Sequence, residues 1–173
     1  MFLRKATVED IEVLLPIFAQ ARRAQRLAGF VQWADGYPSA GDFETDISRS
    51  AGYVLDDCGT AAGYVAIAIG DREYDRHPEL WDAAAPYAVF HRIALADAYR
   101  GKGNAAELFS LAEDIARRLG AHYIRIDTGL ENRPMQRVLA NRSYTALGPC
   151  TFIWGPRLAY EKRLNQHSRK FPY

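Results

Sequence analysis

The sequence predicts an α/β domain, of the α+β kind with a mixed sheet, whose elements run β-α-α-β-β-β-α-β-α-β-β. Three observations predict it. Apolar residues recur in two ways, as short runs of strand length and as longer stretches at spacings of three and four. A turn at Asp57-Cys58-Gly59 joins two of the short runs as an antiparallel hairpin. From Tyr87 to Gly120 the chain reads as strand, glycine-containing loop and helix, and another strand follows, which makes a parallel βαβ unit.

Taken in order, residues 2–6 form the first strand. Thr7 stands three residues before Asp10, a capping-box start with Asp in place of Glu. Ile11, Leu14, Leu15, Phe18 and Ala21 follow at helical spacing, so a helix runs to about Gly29. Pro16 removes one of its bonds, and a kink or early break is expected near residue 15. Arg22, Arg23 and Arg26 read as the solvated face of its end, where they complement the dipole. Residues 30–41 are irregular, with Trp33 and Tyr37 among Gly, Pro and Ser. Such aromatics either anchor a loop to the core or floor a ligand pocket.

Residues 42–49 form a second, short helix, and strands at 53–56 and 61–69 flank the hairpin turn. Residues 70–86 are polar and hold two prolines, so they form a loop or a short helix. Beyond the βαβ unit, whose last strand is 122–127, a helix covers 133–141 with Asn132 or the preceding turn as its cap. Strands at 144–153 and 157–163 close the sheet across Gly155-Pro156. Residues 1–164 thus make one domain and 165–173 a polar tail, expected to fray.

The 173 residues are 49% apolar and 25% charged, enough to bury a sound core. A net charge of +1 gives no electrostatic reason for a nucleic-acid or membrane partner. No charged-then-apolar leader and no apolar run of membrane length occurs. Cys58 and Cys150 lack metal-ligand spacing, so no metal is expected. The expected location is the cytoplasm, with both thiols reduced.

The centre of the chain carries the chemistry. Val89, Phe90, Ile93 and Leu95 make a strand, and Arg100-Gly101-Lys102-Gly103-Asn104-Ala105 makes the loop. Leu108, Phe109, Leu111, Ala112, Ile115, Ala116 and Leu119 make one apolar helix face that closes at Gly120. Glycines let the backbone approach a ligand, and first-turn N–H groups have no partner inside a helix, so this is an anion site. Arg100 and Lys102 add positive charge. By itself the loop is as consistent with a plain turn. The pattern Arg-x-x-Gly-x-Ala after an apolar strand, however, resembles the acyl-CoA motif of the GNAT N-acyltransferase superfamily. The order of elements resembles that fold over nearly the whole chain. Trp33, Tyr37-Pro38, His91-Arg92, Asp127-Thr128, the Asn132 segment and residues 158–162 resemble one bacterial branch of it, largely of unassigned substrate.

The resemblance implies a GNAT fold with acetyl-CoA as co-substrate. Its pyrophosphate would sit on Arg100, Gly101, Lys102, Gly103, Asn104 and Ala105, and its pantetheine amides on the backbone of Ile93 and Leu95. The arm would lie in a V-shaped slot where the central strand splays from its parallel neighbour. Direct attack by a primary amine in a ternary complex follows, the acceptor being a small-molecule or a protein amine. Many members dimerise.

An alkyl amine is mostly protonated at neutral pH, so a base or a water chain must take a proton. His91, on the strand before the loop and with the side-chain parity of Val89, Ile93 and Leu95, is the candidate base. The other reading is a hydrogen-bonded histidine within a sheet. Asp71 and Glu73 are acceptor-side carboxylates or ordinary loop charges, and Trp33 and Tyr37 help shape the acceptor pocket. GNAT enzymes often protonate the leaving thiolate from a tyrosine seven residues after an asparagine. Here the asparagine is Asn132 and the matching residue is Leu139, a departure, with Ser143-Tyr144 where Gly-Phe is usual. Asn132 can still keep a cofactor or substrate contact. The acid is then another group, a water, or absent, with Tyr144 and Tyr160 read as core aromatics.

Two competing readings remain. Gly101-x-Gly103-x-x-Ala106, with Asp127 ending the next strand, fits a relaxed dinucleotide fingerprint and would make the protein an oxidoreductase. Against it, residues 96–100 separate strand from glycine where that fingerprint wants a tight turn. Leu139 in place of tyrosine keeps open an acyl-CoA-binding regulatory module without catalysis.

Overall fold

The elements follow the expected order in a computed structural model that describes residues 1–81 and 85–164; the expected tail at 165–173 lies outside the described residues. The strands are β1 (Phe2–Lys5), β2 (Gly52–Asp57), β3 (Thr60–Ile69), β4 (Tyr87–Leu95), β5 (Tyr123–Thr128), β6 (Thr145–Phe152) and β7 (Gly155–Arg163). The helices are α1 (Ile11–Leu27), α2 (Ala40–Ser48), α3 (Arg72–Asp75), α4 (Asn104–Arg118) and α5 (Arg133–Asn141). One seven-stranded sheet runs β1-β2-β3-β4-β5-β7-β6. Every neighbouring pair is antiparallel except β4–β5, which α4 connects. A doubly wound dinucleotide domain needs a mostly parallel sheet, so that architecture does not form. Among the described residues, no helix is long and apolar enough to cross a membrane.

Local chemistry explains most boundaries. Cys58 (φ 51°) and Gly59 (φ 88°) both take the left-handed conformation that a two-residue hairpin turn requires. The Asp10 carboxylate accepts the Thr7 N–H at 2.8 Å, which is the reach-back half of a capping box. The helix does not break at Pro16. Pro16 and its neighbours Glu12, Val13 and Leu15 lie on the exposed side, where water can satisfy the freed carbonyl of Glu12. Helix α2 starts two residues earlier than expected because Asp42 accepts from the Ser39 N–H at 2.7 Å. Arg22 and Arg26 are more than a solvated face: Arg22 donates to the Tyr37 carbonyl at 2.9 Å and Arg26 pairs with Asp35. Both reach the irregular loop. The last hairpin turns at Ile153–Trp154 and not across Gly155-Pro156, since Phe152 pairs with Gly155 and Thr151 with Pro156.

The larger correction concerns β4. Its register against β3 runs Ala66↔His91 and then Tyr64↔Ala94, so β4 holds one extra residue there. Arg92 takes φ 50° at that bulge. Side-chain parity therefore flips. Tyr87 and Val89 join a cluster with Tyr74 and Phe152, while Ile93 and Leu95 pack with Ala88 and Phe90 on the opposite face. His91 keeps the parity of Val89 but not that of Ile93 and Leu95, contrary to the uniform alternation expected above.

Both faces of the sheet are covered. Helices α4 and α5 bury Leu108, Phe109, Ile115 and Leu139 against Leu55, Val65, Ile67, Ile124 and Ile126. Helices α1 and α2 bury Leu14, Ile17, Phe18 and Phe43 against Val54, Tyr64 and Ala66 on the other face. Leu139, Tyr144 and Tyr160 belong to the first of these cores.

Two predictions follow from the packing. Leu139 is fully buried, so Leu139→Ala should cost about 2–5 kcal/mol in urea unfolding through lost transfer and a cavity. At the sheet edge, Arg4 donates to Asp10 at 2.7 and 2.8 Å and to Asp56 at 2.8 Å. Those hydrogen bonds hold both carboxyls below their ordinary range. As pH falls, the unfolded chain takes up these protons first. The stabilisation is present above the ordinary carboxylate pKa of ~4 and is lost as pH drops through the lower folded values. Unfolding free energy measured from pH 7 to pH 2 should fall on that limb, with a shallower slope in Arg4→Met.

Candidate active site

The parallel pair β4–β5 is short. It holds only at Tyr87↔Tyr123, Ala88↔Ile124 and Val89↔Arg125. Beyond Val89, β4 continues beside β3 to Leu95, and β5 continues beside β7 to Thr128. The strands part after Val89, shortly before the Arg92 bulge, and the splay expected from the resemblance is present. A cleft of about 1340 Å³ occupies the gap. Ala105, Leu108 and Met135 wall it on the α4–α5 side, and Trp33, Tyr37, Asp71 and His91 on the side of α1, α2 and α3. The cleft thus opens on both faces of the sheet.

On the α4 side, Gly101 (φ 71°) and Gly103 (φ 83°) carry the loop through left-handed turns that other residues resist. A Cβ at either would meet nothing within 4 Å, so the space before this backbone is open. Asn104 and Ala105 occupy the first turn of α4, where N–H groups have no acceptor inside the helix. The loop is held from behind: the Asn104 amide donates to the Tyr99 carbonyl at 3.0 Å, and the Tyr99 hydroxyl to Asp57 at 2.9 Å. Arg100 donates through Nε to the Leu95 carbonyl at 3.1 Å and pairs with Asp97 at 2.9 Å. Its Nη2 is buried with no partner among the described residues. A buried, partnerless guanidinium nitrogen beside an open helix start fits a phosphate group.

Arg100 and Ala105 line the cleft, as do Ile93 and Leu95. Gly101, Lys102 and Gly103 are exposed between them, outside the cleft wall. The Ala96 N–H donates to the Ala62 carbonyl of the neighbouring strand at 2.9 Å. By strand alternation, the backbone groups of Ile93 and the Leu95 N–H then face the gap, the Leu95 carbonyl being held by Arg100. The residues present therefore fit the diphosphate and the amides of an acyl-CoA.

On the other side, His91 Nε2 lies 3.0 Å from Asp71 Oδ2. Burial pushes the Asp71 carboxyl up, but His91 and the N–H groups of Glu73 and Tyr74 outweigh it and hold it below its ordinary value. An ionised Asp71 accepts the Nε2–H, which leaves His91 Nδ1 as the lone-pair nitrogen. Asp71, weighed above as an acceptor-side carboxylate or loop charge, is the partner of the histidine. Glu73 lines the cleft but is committed elsewhere: it accepts the Ile153 N–H at 2.6 Å and pairs with Arg76 at 2.9 Å. It ties α3 to the β6–β7 turn. That turn sets Trp154 edge-on to His91, 6.3 Å between ring centres.

Trp33 and Tyr37 both line the cleft and are both anchored. Trp33 packs on Phe18 at 5.2 Å, and the Tyr37 hydroxyl accepts from Arg92 at 3.1 Å. The two alternatives for these aromatics, anchor and pocket wall, hold together. Asn132 caps α5 by accepting the Met135 N–H at 3.2 Å and donates its amide to Gln32 at 2.8 Å.

Reading the sequence missed Gln32 and Asp46. The Gln32 side-chain oxygen accepts from Thr128, Gly129 and Asn132, strapping the loop of Trp33 and Tyr37 to the far wall of the cleft. Asp46 pairs with Arg92 and accepts from the buried Tyr64 hydroxyl at 2.7 Å. An acid on a short amphipathic helix carries no local mark of such a partner. The position of the expected tyrosine, Leu139, points into the core. Tyr144 donates to buried Glu113 at 3.2 Å, and desolvation keeps its hydroxyl protonated well above the ordinary range.

Comparison with known proteins agrees with this geometry. A family model described as the acetyltransferase (GNAT) family matches residues 16–144. No curated protein matches the chain. A GNAT-family acetyltransferase structure from Streptococcus agalactiae is 30% identical with a TM-score of 0.81, covering 94% of this chain and 95% of its own. An acetyltransferase from Salmonella typhimurium, solved with its cofactor acetyl-CoA, shares the fold at 18% identity and TM-score 0.68, covering 96% and 95%. A ribosomal-protein-alanine N-acetyltransferase from Brucella melitensis does so at 17% and 0.70, covering 95% and 100%. Sequence match and splayed sheet lead to one assignment: the chain belongs to the GNAT family and is an acyl-CoA-dependent N-acetyltransferase.

Proposed function

We propose that the protein moves an acetyl group from acetyl-CoA to a primary amine by direct attack within a ternary complex. The observation that carries this reading is the cleft that passes between β4 and β5, from the anion-ready loop to the His91–Asp71 pair. Two substrates entering from opposite faces meet there without a covalent enzyme intermediate.

Acetyl-CoA supplies the activated acyl group as a thioester. Arg100 and the N–H groups of Asn104 and Ala105 hold its diphosphate, and the backbone of Ile93 and Leu95 holds the arm. His91 Nδ1 takes a proton from the incoming ammonium, which frees the nitrogen lone pair for attack. Asp71 accepts the Nε2–H and orients the ring, with Nδ1 left for the incoming amine. Tyr74 and Trp154 pack edge-on to the imidazole and help hold the ring in that orientation. The sulfur departs as a thiolate and takes its proton from water, because Leu139 and Tyr144 are both enclosed in the core.

Thermal melting tests the donor site. Acetyl-CoA at a hundred times its dissociation constant should add ~2.7 kcal/mol of stability. In Gly103→Glu the shift should vanish, since a carboxylate and a strained backbone replace the open anion site. A shift that survives would remove the cofactor from this loop. Steady-state kinetics test the base. His91→Ala should lower kcat by about 10²–10⁴-fold, keep the melting shift with acetyl-CoA, and abolish the acidic limb of the kcat–pH profile. An unchanged profile would leave His91 a structural histidine.

A further inference from the structure

We propose that the acceptor is a small amine that also carries an anionic group, and that Arg72 and Arg49 bind that group. This rests on the acetyl-transfer reading above. The four carboxylates among the described residues lining the cleft are all in use. Asp46 is held by Arg92 and Tyr64, and Asp71 by His91 and the Glu73 N–H. Glu73 is held by Arg76 and the Ile153 N–H, and Asp127 by Tyr74 and Arg157. None is left to receive an ammonium group other than by breaking an ion pair already made.

Four of the six arginines lining the cleft, Arg76, Arg92, Arg100 and Arg157, pair with Glu73, Asp46, Asp97 and Asp127; the other two are in the opposite state. Arg49 and Arg72 line the same cleft, are exposed, and their side chains have no hydrogen bond or ion pair among the described residues. Arg49 follows the end of α2, which supplies Asp46, and Arg72 opens α3 next to Asp71. Both helices pack on the face opposite α4, so these arginines belong to the acceptor side of the cleft and not to the diphosphate site. Ala51, Ala66 and Ala68 line the same cleft, and their small side chains leave room for a compact molecule.

A polyamine or another polycation entering here meets surplus guanidinium and, among the described residues, no unpaired acid. An amine with a carboxylate or phosphonate finds planar donor forks that match its oxygens, and is held with its nitrogen turned toward His91. Charge on the acceptor thus selects it, through attraction that salt should weaken.

The test compares matched acceptors: free L-amino acids, the corresponding amino-acid amides, 3-aminopropylphosphonate and spermidine. Acetylation is followed by thiol release at low salt, and binding by thermal melting in the presence of CoA. The expected kcat/KM ratio of acid over amide is at least about tenfold, shrinking as salt is raised. In Arg49→Glu/Arg72→Glu the ratio should fall to about one or invert. Both side chains are exposed and unpaired, and the ligand-free melting temperature of the variant checks its fold. The phosphonate arm decides whether the site takes a carboxylate alone. Amides or spermidine turned over as well as the acids, or a ratio that survives charge reversal, would overturn the inference and leave acetyl transfer standing. If acetyl-CoA binds and no amine is acetylated, the transfer reading fails instead. The melting arm then decides the inference alone: stabilisation by acids and not amides supports it, and the absence of that difference refutes it.

Discussion

A single backbone constraint lies beneath the rest of the structure: one residue too many in the middle of the central strand. Arg92 sits at φ 50°, a conformation that costs a non-glycine residue on the order of 1–3 kcal/mol. What holds it there is the side chain. Its guanidinium pairs with Asp46, donates to Tyr37, and closes a network with the buried Tyr64 hydroxyl. Losing either partner would leave a buried charge uncompensated, so the network fixes Arg92 in place. The bulge bends β4, β4 parts from β5, and the sheet gains an opening where a regular parallel pair would have closed it.

The opening decides how the chemistry is arranged. In an unbroken sheet the two faces are separate compartments. Here the α4 face supplies backbone donors and one arginine nitrogen without a partner among the described residues, while the α1–α2–α3 face supplies an imidazole fixed by a carboxylate. The flip in parity at Arg92 is part of the same device. Ile93 and Leu95 turn to the α4–α5 face, and His91 stays with Val89 on the other. Side chains two residues apart on one strand thus point to opposite sides of the sheet.

Rigidity at the acceptor side comes from polar groups that are already satisfied. Gln32 spans from the loop carrying Trp33 to the start of α5, and Glu73 spans from α3 to the β6–β7 turn. Neither has a spare acceptor role for a ligand, and both fix aromatic walls in place. Groups with every bond made serve as frame, in contrast to Arg100 Nη2 and the Arg72 and Arg49 side chains, which have no partner among the described residues.

The sequence by itself determined the element order, the βαβ unit at the centre, the loop of Arg100 to Ala105 and the histidine strand before it. Each of these is local: periodicity, a turn at Cys58-Gly59, a cap at Asn132, a glycine pair before a helix. Resemblance carried the same residues to an acyl-CoA site. Tertiary structure alone decided three things. It set the bulge at Arg92, because only cross-strand register shows that β4 is one residue longer than β3 requires. It joined His91 to Asp71 across 20 positions and Gln32 to Asn132 across 100, distances at which no local pattern operates. And it sorted the charges in the cleft into paired and unpaired, which composition cannot do, because a net charge of +1 is the same whichever arginine finds a carboxylate.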